Sequence, residues 1–331
     1  MKKAFFFLIF CNPVSFCIAQ DNGHNFSVKG INQISISVSD LEKSSSFYGN
    51  VIGLDIQSKI EINQILKAEK FAKIKYQPNK KRLLKSPNGF LELIEYSSNN
   101  SLKMEDKPIQ TIGISHVCYQ SPITNPIYEN SKKNGAKIVS RGHTGVDRGF
   151  GIKYAYIRDP DGILFENEQF DQPKFTENHW IGHVAIATPN IGRVIDFYIQ
   201  LLGSKPINRI NSIKNNAKLD DIANLDSLVL SGAWFKIDNM LLEIWQFDNP
   251  KFVFDKRKYT TIGYQKIVFE VENLANFYLK MKDSNFDFLS KPRSENGTLS
   301  VFLRDPDGNL LLLKEIESGN GQSINNLKKL E

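Results

Sequence analysis

The sequence predicts an α+β protein assembled from four copies of one small module. Thr111-Ile112-Gly113 recurs as Thr261-Ile262-Gly263, 150 positions later, and Phe47-Tyr48 recurs at the same offset as Phe197-Tyr198. Arg158-Asp159-Pro160-Asp161-Gly162 recurs as Arg304-Asp305-Pro306-Asp307-Gly308, with the offset shortened to 146. Ile34, Ile36 and Val38 alternate with Gln33, Ser35 and Ser37, the period-two signature of a half-buried strand, just ahead of a helix start signal. A duplicated chain carries its own control. Residues the fold needs should persist in both copies, whereas residues only the chemistry needs can be lost from one.

Each copy divides again, into a strand, a helix and several strands that close on one bearing a glutamate. Module one spans 30–96. Ser39-Asp40 offers an N-cap to a helix carrying Leu41, Phe47 and Tyr48 on one side, Gly53 stops it, and Phe90–Tyr96 reads as the last strand. Module two spans 111–170, with a first strand Gly113–Tyr119, a helix Pro126–Asn134 and Gly135 as its C-terminal stop. Its strand Ile152–Ile157 runs into Asp159-Pro160-Asp161-Gly162, where proline presets φ and glycine accepts a left-handed turn position. Phe165-Glu166-Asn167 follows on the next strand. Modules three (180–247) and four (261–316) repeat the plan, giving halves at 28–170 and 179–316. The polar tail 317–331 reads as frayed.

At 331 residues the chain is long enough for two sizeable cores, and 41% hydrophobic with 24% charged residues is ordinary for a globular protein. The lysines behind the net charge of +6 are scattered rather than striped, which argues against a nucleic-acid partner. Lys2-Lys3, the apolar run Ala4–Phe10 and the small residues at Cys17 and Ala19 read as a signal peptide over 1–19, cleaved after Ala19. The expectation is therefore an exported protein, periplasmic or secreted. The apolar run is short for a membrane span, and nothing later is long enough. The mature chain keeps one cysteine, Cys118, so it forms no internal disulfide.

The order and spacing of these motifs resemble the vicinal oxygen chelate superfamily, which includes glyoxalase I, methylmalonyl-CoA epimerase, extradiol dioxygenases and the fosfomycin and bleomycin resistance proteins. The resemblance rests on Ile34–Leu41, Phe47-Tyr48, Gly53-Leu54, Leu91-Glu92-Leu93 and Arg158–Gly162, and it covers nearly the whole mature chain. It implies four βαβββ modules forming two paired, cupped-barrel domains. It also implies metal ligands at one position on the first strand and one on the last strand of each module.

Those positions are Gln33 and Glu92 in module one, His116 and Glu166 in module two, His183 and Glu243 in module three, and Lys266 and Leu312 in module four. A divalent metal takes neutral imidazole nitrogen and carboxylate or carboxamide oxygen. A lysine ammonium has no lone pair to give, and leucine cannot ligate, so module four is metal-incompetent. His116 and His183 are two of only five histidines, and both fall on implied positions. Glu92, Glu166 and Glu243 each interrupt an apolar strand, where an unpaired carboxylate is costly. His24 and His179 receive no role. His143, with Arg141 and Arg148, lies in a glycine-rich stretch read as a solvated loop, with a substrate anion as the competing reading. Cys118 shares a strand face with His116, either lining the cavity or packing as an inert thiol.

The family pairs its modules in two ways, and both remain open in the sequence. Neighbour pairing gives Gln33, Glu92, His116 and Glu166. Pairing of modules two and three gives His116, Glu166, His183 and Glu243. We favour the neighbour pairing here, because modules one and two together resemble a self-contained two-module enzyme. The resemblance then implies a divalent-metal-dependent (Zn, Ni, Co or Mn, with Fe less expected) isomerase, epimerase or lyase. It would abstract a proton beside a carbonyl of a small chelated substrate, with Glu166 or Glu92 as the proton-transferring carboxylate. The competing readings are a metal-free small-molecule binding protein and an iron-dependent ring-cleaving dioxygenase, the latter requiring modules two and three to pair. Monomer and homodimer are both compatible with two modules per cavity.

Overall fold

The computed structural model describes residues 26–60, 78–96, 107–254, 260–317 and 319–329; the leader expected over 1–19 lies outside them. Module one contributes β1 (Ser27–Val38), α1 (Leu41–Val51), β2 (Asp55–Ile60), β3 (Pro78–Ser86) and β4 (Gly89–Tyr96). Module two contributes β5 (Gly113–Pro122), α2 (Ile127–Lys133), β6 (Lys137–Ile138), β7 (Val146–Gly149), β8 (Ile152–Arg158) and β9 (Leu164–Phe170). Module three holds β10 (Trp180–Ala187), α3 (Ile191–Leu202), β11 (Asn208–Ile213), α4 (Ala217–Ala223), β12 (Val229–Ile237) and β13 (Met240–Asn249). Module four holds β14 (Gly263–Glu272), α5 (Leu274–Met281), β15 (Asp287–Phe288), β16 (Arg293–Glu295), β17 (Thr298–Arg304) and β18 (Leu310–Ile316).

The local signals explain the elements. Asp40 caps α1 by accepting from the amides of Glu42 and Lys43, and Asn190 caps α3 through the amide of Arg193. Gly203 ends α3 in the left-handed region at φ 68°, a conformation that glycine takes without strain.

Two cupped, mixed sheets result, and they do not follow the two halves of the sequence. One runs β11-β12-β13-β10-β5-β9-β8-β6, with β7 beside β8, so it joins modules three and two. The other runs β15-β17-β18-β14-β1-β4-β3-β2, with β16 beside β17, joining modules four and one. The favoured neighbour pairing of modules one and two is therefore corrected. The first strands meet at the centre of each sheet in antiparallel register, β5 with β10 and β1 with β14. Within each module the first strand lies parallel to the last, as β1 does with β4.

One apolar core joins the helix-bearing faces of both sheets. It includes Ile34, Ile36, Val117, Tyr119, Val184, Ile186, Ile267 and Phe269. The polar residues that alternate with them are not solvated, as a half-buried strand would have them. Ser35 and Ser37 are fully buried and Gln33 nearly so, because the opposite face of each strand lines the inside of a cup. The tail expected to fray is also packed. Ser323 Oγ and the Ile324 amide donate to the Glu270 carboxylate at 2.5 and 2.8 Å, and Ile324 and Leu327 pack on Leu83 and Phe90 at one end of the module one–four cup. Among the described residues no helix is long and apolar enough to cross a membrane.

Candidate metal centre

The module two–three cup gathers four of the sequence-implied ligands. His116 on β5 and His183 on β10 are diagonal neighbours across the central seam, since His183 is in register with Cys118 and His116 with Ala185. Glu166 on β9 lies in register with Cys118, and Glu243 on β13 with Ala185. Alternation along each strand turns all four toward the inside of the cup.

Their tips converge. The two Nε2 atoms lie 3.3 Å apart. Glu166 Oε2 is 3.3 Å from His116 Nε2 and 3.1 Å from His183 Nε2, and Glu243 Oε2 is 3.8 and 3.1 Å from the same atoms. All four residues are buried. With metal–ligand bonds of about 2.0–2.2 Å, adjacent ligand atoms around one ion stand roughly 3–3.5 Å apart, so these spacings fit a single cation. The donor chemistry fits as well. Two imidazole nitrogens aimed at each other would set lone pair against lone pair unless a cation or a proton lay between them, and two carboxylates point at the same spot.

Neighbouring groups orient this set. Trp234, opposite Glu243 on β12, donates Nε1–H to Glu243 Oε1 at 2.5 Å and fixes the carboxylate. The Ser115 hydroxyl lies 3.1 Å from His116 Nδ1, leaving Nε2 to face the centre. The Tyr156 ring packs edge-on against His116 at 5.1 Å. Burial opposes charge on His183, but Glu243, Cys118 and Glu166 outweigh it and hold the imidazole well above its ordinary value. Burial likewise pushes Glu166 upward, yet His116 and His183 pull it down to about 2. Two groups at the site were missed in the sequence, Trp234 and Glu168. Glu168 stands two residues beyond Glu166 on the same face, accepts from Gln120 Nε2 at 2.6 Å, and is raised to about 7 by burial and by the Glu166 charge. A second carboxylate at i+2 on the last strand was the available signal.

Gln33 and Glu92, the other two expected ligands, are not part of this centre. They line the module one–four cup, where Glu92 is bound by Lys266 Nζ at 2.6 Å and the Ser35 hydroxyl at 2.6 Å. The proton-transfer role expected of Glu92 is therefore corrected, because its carboxylate occupies the other sheet and is held in an ion pair. Cys118 lines the module two–three cup, fully buried beside His183, and burial pushes its thiol well up. His179, given no role, is buried, and that burial lowers it to about 4. The Arg141 loop is tied down by contacts of its own: Arg141 pairs with Asp221 and Asp226, His143 Nδ1 lies 3.1 Å from the Ile138 carbonyl, and Arg148 stacks over Tyr154, opposite Glu168 on the cup face of β8.

Comparison with known proteins agrees with this geometry. Among solved structures the chain is similar to glyoxalase I from Zea mays (TM-score 0.60, 18% identity, covering 88% of this chain and 92% of that one). It is also similar to a putative dioxygenase from Bacillus subtilis (TM-score 0.58, 12% identity, covering 89% and 87%). At these identities the likeness establishes the fold. No curated protein matches the chain. The model of the glyoxalase/bleomycin resistance protein/dioxygenase superfamily matches twice, over residues 30–167 and 180–313. With both halves matched by the same family model, the chain belongs to the glyoxalase/bleomycin resistance protein/dioxygenase superfamily.

Proposed function

We propose that the protein is a divalent-metal-dependent isomerase, epimerase or lyase of the glyoxalase type, acting on a small substrate that chelates the metal through two oxygens. The observation that carries this reading is the convergence of His116, Glu166, His183 and Glu243 on one buried point. A divalent ion there would polarise a substrate carbonyl and stabilise the negative charge that develops when the neighbouring carbon loses a proton. The chain's own residues do the rest. Glu243 is anchored by Trp234, which suits a fixed ligand. Glu166 Oε2 is held by imidazole nitrogens alone among the described residues, so it is the carboxylate free to leave them and take the proton from the carbon beside the carbonyl. The same atom returns the proton to the neighbouring position. Tyr154 and Tyr156 are half-buried phenols whose values burial and Glu168 or Glu166 raise well above the ordinary tyrosine range; they stay neutral and line the cup without adding charge.

A specific observation also favours a second reading. The pairing of modules two and three supplies two histidines and a carboxylate, the set an iron-dependent ring-cleaving dioxygenase requires. Metal analysis separates the readings. Mass spectrometry of the purified chain should find about one nickel, zinc, cobalt or manganese per chain, lost in His116→Ala and in His183→Ala and retained in Gln33→Ala. Solvent-deuterium exchange into small hydroxy-carbonyl compounds, followed by proton NMR, should depend on that metal and fail in Glu166→Gln. Iron held through both histidines, with no exchange, would favour the dioxygenase; no metal after reconstitution would leave a binding protein.

We further propose that the chain acts after export, on the strength of the charged, apolar and small-residue pattern of 1–19. An N-terminus at Gln20 in protein recovered outside the cytosol would support this, and an intact Met1 would refute it. Export would also make a cytosolic thiol an improbable co-substrate.

A further inference from the structure

The module one–four cup repeats the geometry of the metal-site cup position by position, and the comparison reveals an inversion of charge. Register equates His116 with Lys266, because each faces the small residue of the partner strand, Ala185 in one cup and Ser35 in the other. It equates Cys118 with Val268, His183 with Gln33, Glu243 with Glu92, and Glu166 with Leu312. Two residues beyond Leu312 stands Lys314, the counterpart of Glu168. On the third strand Lys81 takes the place of Gly232. Of the four positions whose side chains converge in one cup, one therefore carries a lysine in the other, and two inward positions beside them add Lys314 and Lys81.

We infer that the module one–four cup is a binding site for a small organic anion, with Lys266, Lys314 and Lys81 receiving a carboxylate or phosphate head and an apolar wall receiving its body. Among the described residues, the charges facing the cup are those three ammonium groups with Glu92 and Glu270. Glu92 is occupied by Lys266 and Ser35 at 2.6 Å each, with Lys81 farther off at 3.6 Å. Glu270 is occupied by Asn32, Ser323 and the Ile324 amide. Lys314 is half-buried and makes no hydrogen bond or ion pair among the described residues. Burial and the Lys266 and Lys81 charges pull it down to about 8, against the opposing pull of Glu92 and Glu270. An ammonium held away from bulk water without an anionic partner, as Lys314 is among the described residues, is costly, and an incoming anion removes the cost while forming charge-assisted hydrogen bonds. Val268, Phe302, Leu310 and Leu312 form a small apolar cluster separate from the main core and beside these lysines, which suits a ligand with a hydrocarbon body. Gln33, its Nε2 donating to Ser35 Oγ at 3.1 Å, adds a neutral polar neighbour to the same face.

The test uses the full chain stripped of metal with a chelator, so that no anion can bind through a metal in the other cup. Isothermal titration calorimetry would be run with inorganic phosphate and, separately, with octanoate, which share a charged oxygen head and differ in the body attached. Saturable binding of either at one site per chain is expected, and tighter binding of octanoate would assign the apolar wall as part of the site. Lys314→Met should weaken it by about tenfold or more, since one charge-assisted contact is worth at least 1.4 kcal/mol. The paired change Glu92→Gln with Lys266→Met should weaken it similarly, and His183→Ala should leave it unchanged. Urea unfolding checks that each variant folds; if the paired variant does not, Lys314→Met decides alone. Absence of saturable binding of both probes up to roughly 10 mM, or binding equally strong in folded Lys314→Met, would overturn the inference. Loss of binding in His183→Ala would do the same, by moving the anion to the metal-site cup. None of these outcomes depends on which metal or reaction the first cup serves.

Discussion

The Tyr48 hydroxyl on α1 of module one donates to Asp159 Oδ2 in module two at 2.9 Å, and its repeat, Tyr198, donates to Asp305 Oδ2 at 3.3 Å. Both aspartates also accept amides of their own turn, Asp161 and Ile163 in one case and Asp307 and Asn309 in the other. The two motifs that betray the duplication, Phe-Tyr and Arg-Asp-Pro-Asp-Gly, are thus two halves of one contact. Because the sheets exchange modules between the halves, this contact fastens neighbouring modules that share no sheet. It persists in both copies because the fold uses it twice.

Removing the hydroxyl therefore acts on stability rather than on chemistry. Tyr48→Phe strands a buried acceptor and should cost about 1–3 kcal/mol in urea unfolding, with bound metal unchanged. Tyr198→Phe should cost less, since its bond is longer.

Burial, with the nearby Asp161 charge, raises Asp159 from 3.8 to about 7 despite the hydrogen bonds it accepts, and burial with the Asp307 charge raises Asp305 to about 6. A carboxyl whose folded value exceeds its unfolded one favours the fold fully below about pH 4, and that contribution is lost as pH rises through the folded value. Unfolding free energy should therefore carry a component that declines between about pH 4 and pH 7, and Asp159→Asn should remove it. A variant that follows the wild-type pH curve through that window would refute the assignment.

Much of the site was legible because strand alternation and the repeat offset fix which residues face inward. His116, Glu166, His183 and Glu243 all stand where counting placed them. The pairing was not legible, because the four first strands share one binary pattern: Ile34-Ile36, Val117-Tyr119, Val184-Ile186 and Ile267-Phe269 are interchangeable as hydrophobic edges. A clue lay in charge. A lysine at an inward position needs an anion, and Glu92 is the carboxylate that Lys266 reaches across the β1–β14 seam. Trp234 escaped notice because its role depends on cross-strand register with Glu243.

Trp234 holds one oxygen of Glu243 and leaves the other for the centre. Trp234→Phe keeps the apolar ring and deletes the donor. Metal affinity, measured by competition with a chromophoric chelator, should fall about 10–100-fold while the ion remains bound at saturation. Unchanged affinity would show that the indole only packs.

A cation held by His116, Glu166, His183 and Glu243 would bind the folded chain and not the unfolded one, because only the fold brings the four together. Metal at about one hundred times its dissociation constant should add about 2.7 kcal/mol, so chelation should lower Tm. The same chelation should leave the Tm of His183→Ala unmoved and lower that of Gln33→Ala as in wild type. Equal shifts in all three proteins would place the metal elsewhere.

The Lys266–Glu92 pair joins two of the inward positions of the module one–four cup across the β1–β14 seam. Both side chains are almost wholly buried, at 3% and 10% exposed, and their polar atoms meet at 2.6 Å. Burying two charges is costly, and the pair repays that cost only while both members are present. Lys266→Met alone leaves Glu92 with Ser35 and the more distant Lys81, and Glu92→Gln alone leaves an ammonium facing an amide. Each single change should cost about 3–5 kcal/mol in urea unfolding, and the combined change should cost much less than their sum. Additive costs would mean that the two side chains are stabilised separately. A strongly non-additive cycle would mean that a buried lysine is tolerated at position 266 because Glu92 faces it.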